Sequence, residues 1–232
     1  MSFAESRRIL AHVAQQTDAV LVMLSGGKDS LVTVDLCLSV FKRVEGLYMY
    51  PIAGLRSCDG PVDIAEKRFG IKVHRTQHWL TNQWLREGMF RPSPIDLPKI
   101  GLNDIQNIAR AETGIQWIAS GERAEDSMAR RARLVRCKGL EEPQYRMFPI
   151  YDWHTTEVVS YLRAKRIPLP PRIGSSGQSG TSGFELRAPC LRFLRDNYPD
   201  DYQKVLEVFP HAESAIKREE FSRTKEDEAT AI

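Results

Sequence analysis

Ser25-Gly26-Gly27-Lys28-Asp29-Ser30 stands between an apolar run, residues 19–24, and a stretch with helical patterning from Leu31 to about Lys42. A strand that enters a glycine turn and leaves as a helix constrains this chain more than any other feature. Gly26 and Gly27 let the backbone approach a ligand with no Cβ in the way. The free amides and positive end of the new helix then face whatever anion is held there. Ser25 and Ser30 add hydroxyl donors, and Lys28 adds a point charge. The residues describe a phosphate site.

The spacing is not that of a Walker A loop, which places four residues between its first glycine and the Gly-Lys pair. The string resembles the pyrophosphate loop of the ATP pyrophosphatases, the adenine-nucleotide α-hydrolases, with its Ser-Gly-Gly-x-Asp-Ser pattern. An ordinary strand–helix turn needs none of the four polar residues around the two glycines.

Composition is ordinary for a globular chain of 232 residues, with 42% hydrophobic and 27% charged residues, and leaves room for a sizeable core. A net charge of +3 is too small to argue for nucleic acid by itself. No apolar run approaches the roughly 20 residues of a membrane span, so no membrane partner is expected. Residues 1–18 read as an amphipathic helix with Ile9, Leu10 and Val13 inward, lacking the apolar block of a signal peptide. The expected compartment is the cytoplasm. Cys37, Cys58, Cys137 and Cys190 form no Cys-x-x-Cys, and on that spacing no iron–sulfur cluster or zinc ribbon is expected.

Strands are expected at residues 44–50, 71–76, 116–120 and just before Ile150, besides the first one. Helices are expected from about Pro61 to Phe69, over 78–90 and over 103–113. Alternating strands and helices predict an α/β fold: a mainly parallel five-stranded sheet flanked by helices, with a C-terminal helical appendage. Ligands of such sheets bind at the carboxyl ends of strands, where the 25–30 loop, Tyr50, Gly121 and Arg123 all fall. Residues 1–173 are read as the sheet domain. Residues 174–183 are read as a flexible Gly/Ser segment, a linker or a lid, and 184–232 as a helical appendage, helical over about 189–220 and frayed from Arg223.

Residues 121–136 carry Arg123, Arg130, Arg131, Arg133 and Arg136 against three acids. Guanidinium forks suit phosphate or sulfate oxygens, although such a run is also what a solvated helix face looks like. Together with Pro149-Ile150-Tyr151-Asp152-Trp153 and the following Val158, Val159 and Tyr161, this stretch resembles the PAPS (phosphoadenosine phosphosulfate) reductase family. The exit Ile167-Pro168-Leu169-Pro170-Pro171 also fits, and the resemblance covers residues 19–172. It implies an adenine-nucleotide α-hydrolase-like fold that binds ATP or PAPS. By position it assigns Ser25, Gly26, Gly27, Asp29 and Ser30 to the phosphate loop and Arg123 to the arginine segment. Tyr50, Gly121, Arg130 and Arg131 are further candidate nucleotide contacts. Lys28, Asp29 and Arg123 are the candidate catalytic residues. Magnesium is expected with the nucleotide, with Asp29 as its ligand or as a helix-start acid. Asp152 either orients a nucleophile or caps the helix that follows.

The C-terminal Glu-Cys-Gly-x-His of the family's reductases has no match here; the last cysteine is Cys190, within Ala188-Pro189-Cys190-Leu191. The intact Gly-Gly-Lys-Asp-Ser instead looks like the ATP-using relatives, which cleave between the α and β phosphates. Two chemistries follow. One is ATP-dependent adenylylation coupled to sulfur transfer, with a sulfur donor as partner. The other is a thiol-dependent PAPS reductase with Cys190 as nucleophile and a thioredoxin-like partner. A homodimer is compatible with either.

Overall fold

The computed structural model describes residues 3–168 and 184–230. The chain runs through α1 (Phe3–Ala14), β1 (Ala19–Met23), α2 (Lys28–Leu38), β2 (Arg43–Tyr50), α3 (Arg56–Phe69) and β3 (Val73–Gln77). It continues through α4 (Trp79–Glu87), α5 (Leu102–Thr113), β4 (Ile118–Ala119), α6 (Met128–Cys137), β5 (Leu140–Glu141), β6 (Arg146–Met147) and α7 (Thr155–Ala164). The last elements are α8 (Ala188–Asn197), α9 (Pro199–Val208) and α10 (Glu213–Thr230). The Gly/Ser segment 174–183, and with it the choice between linker and lid, lies outside the described residues.

The strands form one six-stranded sheet in the order β3-β2-β1-β4-β6-β5. β1 pairs in parallel with β2 and with β4, and β4 pairs in parallel with β6. The α/β class is as expected, but the strand number is corrected from five to six. The extra strand, β5, pairs antiparallel with β6 at the edge. At two residues it is too short for any periodicity to reveal. The central strands are buried on both faces, as their unbroken apolar letters require: Val20, Leu21 and Val22 are fully covered.

Two compact units are distinguished. The first comprises Met1–Met49, Pro61–Thr76 and Leu102–Pro170, and holds most of the sheet. Here α1 buries Ile9, Leu10 and Val13, as its pattern predicts. Ser6, also buried on α1, donates to the Pro149 carbonyl at 2.6 Å and accepts from Trp153 Nε1 at 3.0 Å. Trp153 packs edge-on against Phe3 and Tyr161, so it is a core residue.

The second unit comprises Tyr50–Gly60, Gln77–Gly101 and Pro171–Ile232. Beyond the C-terminal helices it draws in residues 50–60 and 77–101, because Ile52, Leu55 and Leu85 share one core with Leu191, Leu194, Val205 and Phe209. The single helical stretch expected over 189–220 is three helices. Pro199 starts the second of them, where its missing N–H costs nothing. α10 continues helical to Thr230, where fraying was expected. Helix α3 starts at Arg56, not at Pro61, because buried Asp201 of α9 accepts from the N–H groups of Arg56 at 3.0 Å and Ser57 at 2.7 Å. No described helix is long and apolar enough to cross a membrane.

Candidate functional site

Within the first unit, the chain order reverses at the centre of the sheet. From β1 it moves outward through β2 to β3, and then returns to β4 on the other side of β1. Leu21 and Val22 of β1 lie opposite Ile118 and Ala119 of β4. The crevice at the carboxyl ends of strands flanking such a reversal is where open α/β sheets take ligands. The segment after β1 is the 25–30 loop; the segment after β4 is Ser120-Gly121-Glu122-Arg123.

Gly26 sits at φ +72°, and a Cβ there would fall 2.8 Å from Pro61 Cβ, so only glycine fits. Gly27 is the extended residue that opens α2, and no side chain caps that helix. The leading amides of α2 are therefore left for another acceptor. The turn holds itself closed: Ser25 Oγ accepts from the Gly27 N–H at 3.3 Å, and the Ser30 hydroxyl donates to the Gly27 carbonyl at 2.8 Å. Gly121 meets this turn directly. A Cβ on it would lie 2.8 Å from the carbonyl carbon and oxygen of Asp29.

Two cations converge on Asp29. Lys28 is nearly buried, and its Nζ lies 2.7 Å from Asp29 Oδ2. Arg123 Nε lies 2.8 Å from Asp29 Oδ1, a close ion pair in which the N–H is not aligned for a hydrogen bond. Each oxygen that Asp29 could offer a magnesium ion is thus already beside a cation. The Arg123 side chain is only 4% exposed and also contacts Glu125 at 2.6 Å and Asp126 at 3.2 Å. It donates further to the Trp153 carbonyl at 3.3 Å and to Thr155 Oγ1 at 3.2 Å. Glu125 in turn accepts from the Thr155 N–H at 2.7 Å. Burial pushes the Glu125 carboxyl up, but the Thr155 and Arg123 hydrogen bonds outweigh it and hold the group below its ordinary value. Arg123 thus ties the start of α2 to the start of α7.

The other arginines behave differently from one another. Arg130 pairs with Glu122 at 3.3 Å and Asp126 at 3.1 Å. Arg133 pairs with Glu122 and covers the Phe148 ring at 4.9 Å. Arg131 donates to the Ala124 carbonyl at 3.4 Å, and Arg136 is exposed. Sequence reasoning missed Glu125 and Asp126 as the partners that turn Arg123 inward. Their spacing of two and three residues from Arg123 is the only signal that carried it.

Tyr50 ends β2 and belongs to the second unit, where its carbonyl accepts from the His78 N–H at 2.8 Å. Cys190 is 5% exposed within the apolar core of that unit, and burial pushes its thiol up. Its neighbour Arg192 is engaged by Glu219 at 2.6 Å. Cys58 packs against the same core, and burial raises its thiol to about 12. The residue that opens α7 is His154, whose N–H donates to Glu157 at 2.9 Å; Asp152 is therefore not the cap.

No curated protein matches the chain. Among solved structures, it is similar to the U34-tRNA thiolase NcsA from Methanococcus maripaludis with its 4Fe–4S cluster, at 16% identity and a TM-score of 0.50. That likeness covers 92% of this chain and 77% of the thiolase, and it is a likeness of fold. It corrects one expectation. A protein of this fold carries an iron–sulfur cluster, so the lack of Cys-x-x-Cys spacing does not exclude a cluster here. Residues 19–172 match the phosphoadenosine phosphosulfate reductase domain, and the chain belongs to that family.

Proposed function

We propose that this chain binds ATP on the 25–30 loop, cleaves it between the α and β phosphates, and couples the resulting adenylate to sulfur transfer. Family membership supports a nucleotide-binding enzyme of sulfur chemistry; the choice of ATP and of adenylylation is the finer reading. The observation that carries it is the loop itself, with uncapped α2 amides beside a nearly buried lysine.

In this reading an oxyanion or carbonyl oxygen of the acceptor attacks the α phosphorus, and the bond to the bridging oxygen breaks. Pyrophosphate leaves with the electron pair. The loop amides receive its charge, and Lys28 exchanges Asp29 for a phosphate oxygen, a form of fixed electrostatic stabilisation. A sulfur nucleophile then displaces AMP from the activated acceptor. Arg123 contributes by holding Asp29, and with it the start of α2, against the segment after β4, not by touching phosphate. Cys190 is given no role in these steps, since a buried thiol with a raised pKa is a poor nucleophile. Four free cysteines suit a cytosolic setting, where thiols stay reduced.

The test is ligand-induced stabilisation and pyrophosphate release. ATP should raise the melting temperature of the wild type. Lys28→Ala should lose about 1.5–3 kcal/mol of ATP binding, roughly a 10- to 150-fold rise in Kd. Stabilisation by PAPS and not by ATP, with thiol-driven release of sulfite, would replace this reading with the reductase.

A further inference from the structure

Helix α6 is unlike the other helices of the first unit. Leu134 is the one residue on it that is buried. Residues 127–138 contain five basic side chains (Arg130, Arg131, Arg133, Arg136 and Lys138) and no acid. Glu122, Asp126 and Glu141 engage Arg130 and Arg133. Arg131, Arg136 and Lys138 are exposed, and among the described residues none of them has a carboxylate partner. A helix end that gathers cations at its C-terminus also complements its own dipole, so the arrangement is stable without a ligand.

The patch does not stop at α6. Arg8 of α1 donates to the carbonyl of Lys138 at 2.6 Å, which brings the exposed Arg7–Arg8 pair beside the C-terminal end of α6. Arg8 is shared with Glu5, whereas Arg7 has no carboxylate partner among the described residues. Arg136 and Lys138 thus leave two unneutralised cations at this end of α6, with Arg7 next to Arg8 in the chain and Arg131 more than a turn back on the helix, on a protein whose net charge is only +3. Exposed Met128 and Val135, 77% and 58% accessible, add short apolar surface to the same helix.

We infer that this basic end of α6, with Arg7 and Arg8 of α1 beside it, is a nucleic-acid contact: it takes the phosphodiester backbone of an RNA or DNA strand. Exposed cations with no carboxylate of their own suit that charged backbone, and each phosphate neutralised releases counterions. Arg131 and Arg136, free of carboxylates, keep their guanidinium forks for phosphate oxygens. Two isolated apolar residues are too little to seat the helix in a membrane interface, which takes a continuous apolar face. This inference does not rest on the ATP reading, because it is tested without nucleotide.

The probes are a fluorescein-labelled RNA stem-loop and the DNA duplex of the same sequence, titrated with the full chain at several salt concentrations. Binding to at least one should weaken steeply between about 50 and about 200 mM salt. The variant Arg7→Glu, Arg136→Glu, Lys138→Glu should weaken it at least tenfold and reduce the slope of log K against log salt by about three. Its circular dichroism should match the wild type and its urea midpoint should fall only slightly, by the helix-dipole contribution of the reversed charges, which separates lost binding from lost fold. The stronger of the two probes identifies the strand type. No binding to either probe at low salt, or equal binding by the variant, overturns the inference. Binding to anionic phosphatidylserine vesicles but not to nucleic acid overturns it as well.

Discussion

Arg123 Nε lies 2.8 Å from Asp29 Oδ1, and through this contact the segment after β4 grips the start of α2, the helix that follows the glycine turn of the 25–30 loop. A buried guanidinium facing three carboxylates is held in place by all of them at once. Removing it leaves Asp29, Glu125 and Asp126 without their common partner. The loss of one member of such a buried set typically costs about 3–5 kcal/mol. Arg123→Ala should therefore lower the unfolding free energy from urea titration by an amount in that range, and Arg123→Lys should recover only part of it. A wild-type midpoint in Arg123→Ala would mean the residue is not a structural tie.

Gly121 is the second half of that grip. A methyl group there would lie 2.8 Å from the backbone of Asp29, far inside van der Waals contact, so either the loop or the β4 segment must shift. Gly121→Ala should weaken ATP binding by at least a factor of about ten, equivalent to about 1.4 kcal/mol. Calorimetric titration reads the change directly. Unchanged affinity would show that the loop geometry does not depend on this approach.

The parts of this site that were legible in the sequence are those encoded locally. The glycines, hydroxyls and lysine of residues 25–30 stand next to one another in the chain, and their strand–helix context is written in apolar periodicity. What could not be read depends on partners far away. Asp201 starts α3 from 144 residues beyond Ser57. Ile52 and Leu85 join a core completed by α8 and α9. Arg123 looked like an anion ligand because its charge is visible in sequence, while the three carboxylates that claim it become its neighbours only on folding. The strands expected at 116–120 and just before Ile150 are β4 and β6, whereas β5, two residues long, is a strand only by its pairing with β6.

Acid sensitivity should come in part from Glu45. Burial pushes its carboxyl up, but hydrogen bonds with His74 and Arg43 outweigh that and hold it below the ordinary 4.5. His74 Nε2 is 2.5 Å from one carboxylate oxygen, and Arg43 Nε is 2.7 Å from the other. A carboxylate with a depressed folded pKa stabilises the protein fully above its unfolded value, and this contribution disappears as pH falls through the folded value. Wild-type stability should therefore drop as pH is lowered below about 4.5. Glu45→Gln should show a shallower drop over the same window in urea titrations, although Glu66 and Glu125 keep part of it. Parallel pH profiles for wild type and variant would remove Glu45 from the account.

Cys190 separates the two chemistries. The residue sits in the first turn of α8 with Leu191 and Leu194 behind it, and it is 5% exposed. A nucleophilic thiol needs access and a lowered pKa; here burial shields the sulfur and pushes its pKa up. In the native protein it should therefore react with a disulfide reagent far more slowly than in urea. Cys190→Ser places a hydroxyl in the apolar core and should cost about 1–3 kcal/mol of stability. Pyrophosphate release from ATP, measured below the variant's melting temperature, should persist at close to the wild-type rate. Rapid native labelling of Cys190, together with loss of sulfite release from PAPS in Cys190→Ser, would assign the thiol to catalysis. Adenylylation would then give way to reduction.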